Sequence, residues 1–217
     1  MELMLLMQLQ LNRLMENNIL LYGASGHGKV IVDILLANSV TIAAIIDDNP
    51  KLEHVLGIPI VTTSEFDFST LKNMIISIGN NRVRQTISNK IQVNYPTAIH
   101  PTAILSKSVN VGEGTVIMAG AVINPDVTIG KHAIVNTGAI LDHDCVIDDF
   151  AHVSPGASLA GNVKVGEGTH IGIGATIIQG IKIGKWATVG AGAVIIKDVP
   201  DFAVVVGNPG KIIKYTL

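Results

Sequence analysis

Residues 129–147 read IGKHAIVNTGAILDHDCVI, and an apolar residue returns there at every sixth place: Ile129, Val135, Leu141, Ile147. Followed outward in both directions, the beat runs without a gap from Ile99 to Ile195. Four places after each beat stands a second small or apolar residue, from Ala103, Val109 and Thr115 through Cys145 to Val199. Six is even, so in extended chain both positions of a hexad point to one side. A helical period of 3.6 would smear the same residues around a cylinder. The pattern predicts short strands joined by turns and stacked as a parallel β-helix, one hexad to each flat side and 18 residues to a three-sided coil. Residues 99–200 then make between five and six coils. Glycine directly after the beat (Gly112, Gly130, Gly166, Gly172, Gly184, Gly190) is expected to give the corners their backbone freedom.

The bulk numbers agree with a narrow apolar prism. Only 4% of the 217 residues are aromatic, and the positive mean hydropathy of +0.47 is carried by the Ile, Val, Leu and Ala of the repeat. The formal charge is −2 and the three arginines, Arg13, Arg82 and Arg84, all lie outside the repeat. No basic stripe exists to neutralise phosphates, which argues against nucleic-acid binding. Cys145 is the single cysteine, so there is no internal disulfide, and its inward position reads as core filler. Residues 1–17 are rich in Met and Leu but lack a basic n-region and a cleavage site, and they are too short to span a bilayer. They read as an extended or disordered start with Met15 a candidate initiator, the alternative being a short amphipathic helix on a membrane surface. No stable membrane insertion and a cytoplasmic location are expected.

Between residues 18 and 98 the pattern changes to a small α/β domain. Ile19 to Tyr22 reads as a buried strand, Gly23-Ala24-Ser25-Gly26-His27-Gly28-Lys29 as a turn, and Val30 to Ala37 as a helix. That order aims backbone N–H groups and a helix dipole at a phosphate. A second strand, Thr41 to Ile46, ends in Asp47-Asp48, at the separation where a βαβ fold sets a carboxylate on a sugar hydroxyl. A third, Met74 to Ile78, runs into Gly79-Asn80-Asn81 and a helix from about Arg82 to Ile91. The spacing GxxGxG is not the dinucleotide fingerprint, so an NAD site is disfavoured. A tight strand-to-helix turn wants glycine in any case, and Asp47-Asp48 can equally be the turn before Asn49-Pro50.

Inside the repeat, His143 has the setting of a general base. It lies between Asp142 and Asp144, with Asn136 about one hexad earlier. A neutral imidazole takes a proton near pH 7, and a flanking carboxylate fixes its tautomer; the competing reading is a solvated turn of mixed charge. His152 and His170 are 18 apart and should stack on adjacent coils as exposed residues that line a groove or do nothing. Their column continues with Ile134 and Thr188, so no metal is expected. His54, His100 and His132 show no partners and read as surface or structural. After the last coil, Asn208-Pro209-Gly210 predicts a closing turn, with Lys211 and Lys214 beside the open end.

These motifs in this order resemble the bacterial hexapeptide-repeat acyltransferases that include the UDP-4-amino-sugar N-acetyltransferases and the sialic acid O-acetyltransferases. The resemblance spans Asn18 to Lys214. It implies a Rossmann-like βαβαβ sugar-nucleotide domain (18–98), a left-handed parallel β-helix (99–203) and a C-terminal cap (204–217). The implied reaction is acetyl-CoA-dependent N-acetylation of a UDP-linked 4-amino sugar for surface glycan or glycoprotein synthesis. The alternatives are O-acetylation of a sialic acid or similar hydroxyl, or a sugar-nucleotide-binding protein without catalysis. On this resemblance His143 is the base, Asp144 or Asp142 orients it, and Asn136 lies close to it. Ser25, Gly26, His27, Asp47, Asp48 and Gly79 hold the UDP-sugar. Acetyl-CoA touches His152, Gly161, Gly172, Ile173, Gly190 and Ala191, with Lys211 near its phosphates, in a cleft between subunits of a homotrimer.

Overall fold

The computed structural model of the chain describes residues 18–66 and 68–216; the expectation for residues 1–17 lies outside the described residues. The N-terminal unit is a five-stranded sheet of order β3-β4-β2-β1-β5. β1 (Ile19–Tyr22), β2 (Ile42–Asp47) and β5 (Met74–Ile76) stand where the apolar runs predict them. Two strands were not predicted: β4 (Ile58–Thr62), parallel to β2, and β3 (His54–Val55), which forms an antiparallel hairpin with it. Pro59 inside the run argues against a central strand, and it is tolerated here because β3, its partner on that side, is only two residues long.

Helix α1 (Gly26–Ala37) begins four residues before the expected Val30, so Gly26, His27 and Gly28 belong to its first turn and Ser25 is the N-cap. Its apolar side, Ile31, Ile34 and Leu35, shares one core with Leu21, Ile45 and Ile75 of the sheet and with Ala98, Val116 and Ile134 of the coils. Helix α2 (Asn81–Lys90) is capped by Asn80, whose side-chain oxygen accepts from the Val83 N–H at 3.1 Å. Ile87 of α2 joins Leu20, Tyr22, Ile46, Met74 and Tyr95 on the other face of the sheet.

From Ala98 onward the chain is the expected parallel β-helix. Each strand pairs with the strand 18 residues further on, as in Ile134↔His152, Ile140↔Ser158 and Val146↔Lys164. The first wall runs from Ala98–Ile99 to Ala203–Val206 and ends with the antiparallel strand Lys211–Tyr215, which covers the open coil edge. The second wall runs from Ile104–Leu105 to Val194–Ile195, the third from Asn110–Val111 to Lys182–Ile183. Both apolar positions of the hexad point inward, and Cys145 is fully buried as filler, its S–H donating to the Ala160 carbonyl at 3.2 Å.

The corner chemistry differs from expectation. The left-handed residue is the third after the beat, not the first: Gly114, Gly138, Gly156 and Gly174 take it, as do Asp126, His132, Asp144, Phe150, Asn162 and Trp186. The glycines directly after the beat have ordinary φ and are required for a different reason. A Cβ on Gly112 would lie 2.5 Å from the Gly130 backbone one coil on, and one on Gly172 2.6 Å from the Val189 carbonyl. They mark close approach between stacked coils.

The outward residues give the three walls different fates. On the first, Val116, Ile134 and His152 are buried under the N-terminal unit. On the third, Asn110, Thr128, Lys164 and Lys182 face solvent. The second wall shows Ile104, Val122, Ile140, Ser158, Thr176 and Val194, without a charge, and Ile104 is 65% exposed. Among the described residues no helix is long and apolar enough to cross a membrane.

Candidate active site

Asp142, His143 and Asp144 occupy the corner between the second and third walls. The two carboxylates do different things. Asp144 Oδ2 lies 2.8 Å from His143 Nδ1, so Nδ1 carries the proton and Nε2 is left with its lone pair outward. Asp142 Oδ1 accepts from the His143 backbone N–H at 2.8 Å and from Asn124 Nδ2 at 2.7 Å, and so shapes the corner. The hydrogen bond to Asp144, then the charge of Asp142, raise the His143 pKa above its ordinary 6.5. Gly161 lies one coil further on, directly against the imidazole: a Cβ there would come within 2.6 Å of Cε1 and Nε2. The Gly161 N–H has no hydrogen bond among the described residues, whereas the equivalent amides of His143 and Lys131 are taken by Asp142 and Asp149.

Asn136 stands elsewhere. It sits at the corner between the first and second walls, across the whole second wall from His143, and its Nδ2 lies 3.0 Å from His152 Nε2. The expected proximity of Asn136 to His143 is therefore not found within one chain, because one wall of the prism separates the two corners. Asn136 Oδ1 accepts from the Thr137 N–H at 2.8 Å. Its amide group therefore donates to His152, leaving the proton on His152 Nδ1.

His152 is buried rather than exposed, because the N-terminal unit covers it. Its ring meets that of His170 at 4.9 Å and that of His27, from the first turn of α1, at 6.4 Å. Burial, with smaller contributions from the charge of Arg84, lowers His27 to about 4, and burial lowers His152 to about 3, so both are neutral at pH 7. His27 Nε2 and His152 Nδ1 are buried and lack hydrogen-bond partners among the described residues. Two unpaired ring nitrogens beside the end of a helix are what a polar ligand would satisfy. Gly79 lies 4.0 Å from the His27 ring, measured from the position of an added Cβ. An open cleft of about 460 Å³ continues from Gly79 and Asn80 past Arg82, His170, Trp186 and Thr188.

The loop glycines separate structural from functional need. Gly23 has φ +115°, and a Cβ on Gly28 would lie 2.5 Å from the Gly23 carbonyl, so packing accounts for both. Nothing lies near a Cβ on Gly26, and Ser25 makes no capping bond. Asp47 spends both oxygens on the chain, accepting from Ala24 N at 2.7 Å and Asn49 N at 2.9 Å. Asp48 receives the Tyr22 hydroxyl at 2.7 Å. Gly172, Ile173, Gly190 and Ala191 line the same corner column as Asn136, and Lys211 is exposed on the last strand. Among the described residues no group of His, Cys, Asp and Glu is assembled to hold a metal.

Arg84, missed from sequence, joins the two units. It is 1% exposed and donates to the carbonyls of His132 (2.7 Å), Phe150 (2.8 Å), Ile78 (3.0 Å) and Gly79 (3.3 Å) and to Asn81 Oδ1 (3.0 Å). Burial lowers its pKa to about 9, so it stays charged near neutral pH. Asn81 also donates to the Gly168 carbonyl, Gln85 to Glu167, and Arg82 lies 4.6 Å over the Trp186 ring. The signal lay in α2: Asn81, Arg84 and Ser88 repeat at helical spacing on a face also holding Ile87, and the helix has no acidic residue to pair with Arg84 at the surface. His132, expected to lack partners, stacks on Phe150 at 5.3 Å and meets Tyr95 edge-on at 4.6 Å.

An α/β nucleotide-type unit riveted to a hexapeptide β-helix, with a carboxylate-oriented histidine at a coil corner, defines a class of acyl-transferring enzyme. Family models agree with both halves: the PglD N-terminal domain matches residues 18–91, and the bacterial transferase hexapeptide (six repeats) matches 108–143 and 162–197. The chain belongs to the sugar N-acetyltransferases built on this pair of domains. A variant of perosamine N-acetyltransferase from Caulobacter crescentus, solved with CoA and GDP-perosamine, is 40% identical. That match covers 92% of this chain and 98% of that one, with a TM-score of 0.87. The acetyltransferase domain of PglB from Neisseria gonorrhoeae, solved with acetyl coenzyme A, is 36% identical over 91% of this chain and 99% of that one, with a TM-score of 0.83. UDP-N-acetylbacillosamine N-acetyltransferase of Bacillus subtilis (strain 168) is 43% identical over 100 residues, which span 42% of this chain and 46% of that protein.

Proposed function

We propose that this protein transfers the acetyl group of acetyl-CoA to the amine of a UDP-linked 4-amino sugar, in the cytoplasm, for surface glycan or glycoprotein synthesis. The observation that carries the reading is the His143–Asp144 pair, with Nε2 free to take a proton and the unpaired Gly161 N–H beside it. The neutral amine attacks the thioester carbonyl while His143 Nε2 removes its proton. The Gly161 N–H donates to the oxyanion of the tetrahedral intermediate, which collapses with loss of the CoA thiolate, and the proton held by His143 returns to the thiolate. Asp144 stabilises the imidazolium between these steps. Assay of free thiol with UDP-4-amino sugars, CMP-sialic acid and free sialic acid tests the reading. Turnover is expected with the amino sugars alone; turnover only with a hydroxyl acceptor, or tight nucleotide-sugar binding without any turnover, would replace it.

The active form we propose is a homotrimer. His143 and Gly161 stand at one edge of the second wall, while Asn136, Gly172, Ile173, Gly190 and Ala191 stand at the other. These groups cannot meet within one prism, and the side chain of His143 is 60% exposed in a single chain. Packing the uncharged second walls about a threefold axis brings one edge against the opposite edge of the next subunit and covers Ile104 and Ile140. Light scattering should give about three times the chain mass of 22.8 kDa. Ile140→Lys, placing a charge on that wall, should shift the mass toward one chain and lower specific activity in step. A fully active monomer would sink the shared-site model.

A further inference from the structure

The two neighbouring carboxylates after β2 look equivalent in sequence, but the structure divides their work. Asp47, the last residue of the strand, has each oxygen already committed to a backbone N–H, one from the loop after β1 and one from the turn that follows. It is a clamp on the loop. Asp48 turns the other way, and its Oδ2 takes no hydrogen bond among the described residues. It lines a cavity of about 530 Å³ together with Tyr22, Thr63, Phe68, Lys90 and Gln92.

The lining has the chemistry of a slot for a flat polar ring. Phe68 is braced edge-on by Phe66 at 5.0 Å and offers an aromatic surface. Lys90 has no acidic partner among the described residues and can donate to a carbonyl. The Gln92 amide group donates to the Ser88 and Asn89 carbonyls, leaving its oxygen as an acceptor. Tyr22 is buried, and burial followed by the bond to Asp48 pushes its pKa up, so the phenol remains a donor and holds Asp48 in one orientation. A phosphate would be repelled by Asp48, and a ribose alone would not use the aromatic face.

We propose that this cavity is the nucleobase subsite, that Asp48 accepts the imide N–H of uracil, and that Tyr22 is the positioning residue that aims Asp48. The proposal rests on the UDP-sugar reading above. It removes Asp47 from substrate contact and moves recognition from the ribose hydroxyls, where sequence spacing put it, to the base.

Calorimetric titration of the full chain with UDP, its N3-methyl analogue and 2′-deoxy-UDP tests this. A hydrogen bond to a charged acceptor carries about tenfold or more in affinity. The N3-methyl analogue should therefore bind at least about tenfold more weakly than UDP, and 2′-deoxy-UDP nearly as well as UDP. Asp48→Ala should weaken UDP and abolish the difference between UDP and the N3-methyl form. Tyr22→Phe should raise the KM for the sugar nucleotide several-fold while kcat and the KM for acetyl-CoA stay unchanged, a split that a general loss of folding would not give. Equal binding of UDP and the N3-methyl analogue, or a loss confined to 2′-deoxy-UDP, overturns the subsite and leaves the acetyltransferase reading standing. Failure of the wild-type protein to bind UDP at all removes the UDP-sugar reading itself.

Discussion

Replacing His143 by alanine is expected to lower turnover by about 10²- to 10⁴-fold, the range for loss of a general base, with little change in acetyl-CoA binding. The geometry adds a pH signature. The imidazole must be neutral to act, so kcat/KM should fall as pH drops through its pKa. Asp144, and secondarily Asp142, raise that pKa, so the acid limb should lie above the ordinary 6.5. Asp144→Asn removes the main cause. It should move the limb to lower pH while reducing the plateau, because nothing then fixes the proton on Nδ1. Asp142→Asn keeps an oxygen for the His143 N–H and should change the limb less. A rate profile that is flat across the region for the wild type, or near-normal turnover by His143→Ala, would remove His143 from the mechanism.

The second large effect is on stability. Arg84→Met should destabilise the protein by about 2–6 kcal/mol, because the change leaves several buried carbonyls without donors, at about 1–3 kcal/mol for each group that water cannot reach. For a chain of this size that corresponds to a fall in melting temperature of roughly 5–20 °C. Arg84→Lys keeps the charge, but three donors on a flexible stem cannot serve five acceptors set in a plane, so rescue should be partial. Two of those acceptors, Ile78 and Gly79, belong to the loop beside His27. Both variants should therefore raise the KM for the sugar nucleotide more than that for acetyl-CoA. A melting temperature unchanged within about 2 °C for Arg84→Met would show that the carbonyls find other partners.

Sequence alone determined the coil, since an unbroken period of six admits one way of burying Ile99 to Ile195 in extended chain, and inward positions such as Leu141 and Cys145 follow from parity. It also determined β1, β2 and β5, whose apolar runs are continuous, and it picked out His143 from its carboxylate neighbours. It could not separate Asp142 from Asp144 or Asp47 from Asp48. Adjacent residues of one type differ only in which way the turn throws their side chains, and the left-handed φ of +61° at Asp144 is a property of the folded corner. It misassigned the glycines after the beat, because close approach between coils is a contact across 18 residues that leaves no local mark. β3 and β4 were illegible since two residues and a proline-broken run carry little periodicity. Only the tertiary structure decided that the N-terminal unit covers the first wall, so that His152 is buried and Arg84 finds its acceptors. It alone also showed that Asn136 and His143 lie at opposite edges of the second wall. Both outcomes depend on which of three geometrically equal walls is covered. The hexad repeat is the same on each of them, so the choice rests with a few outward residues and the neighbour they meet.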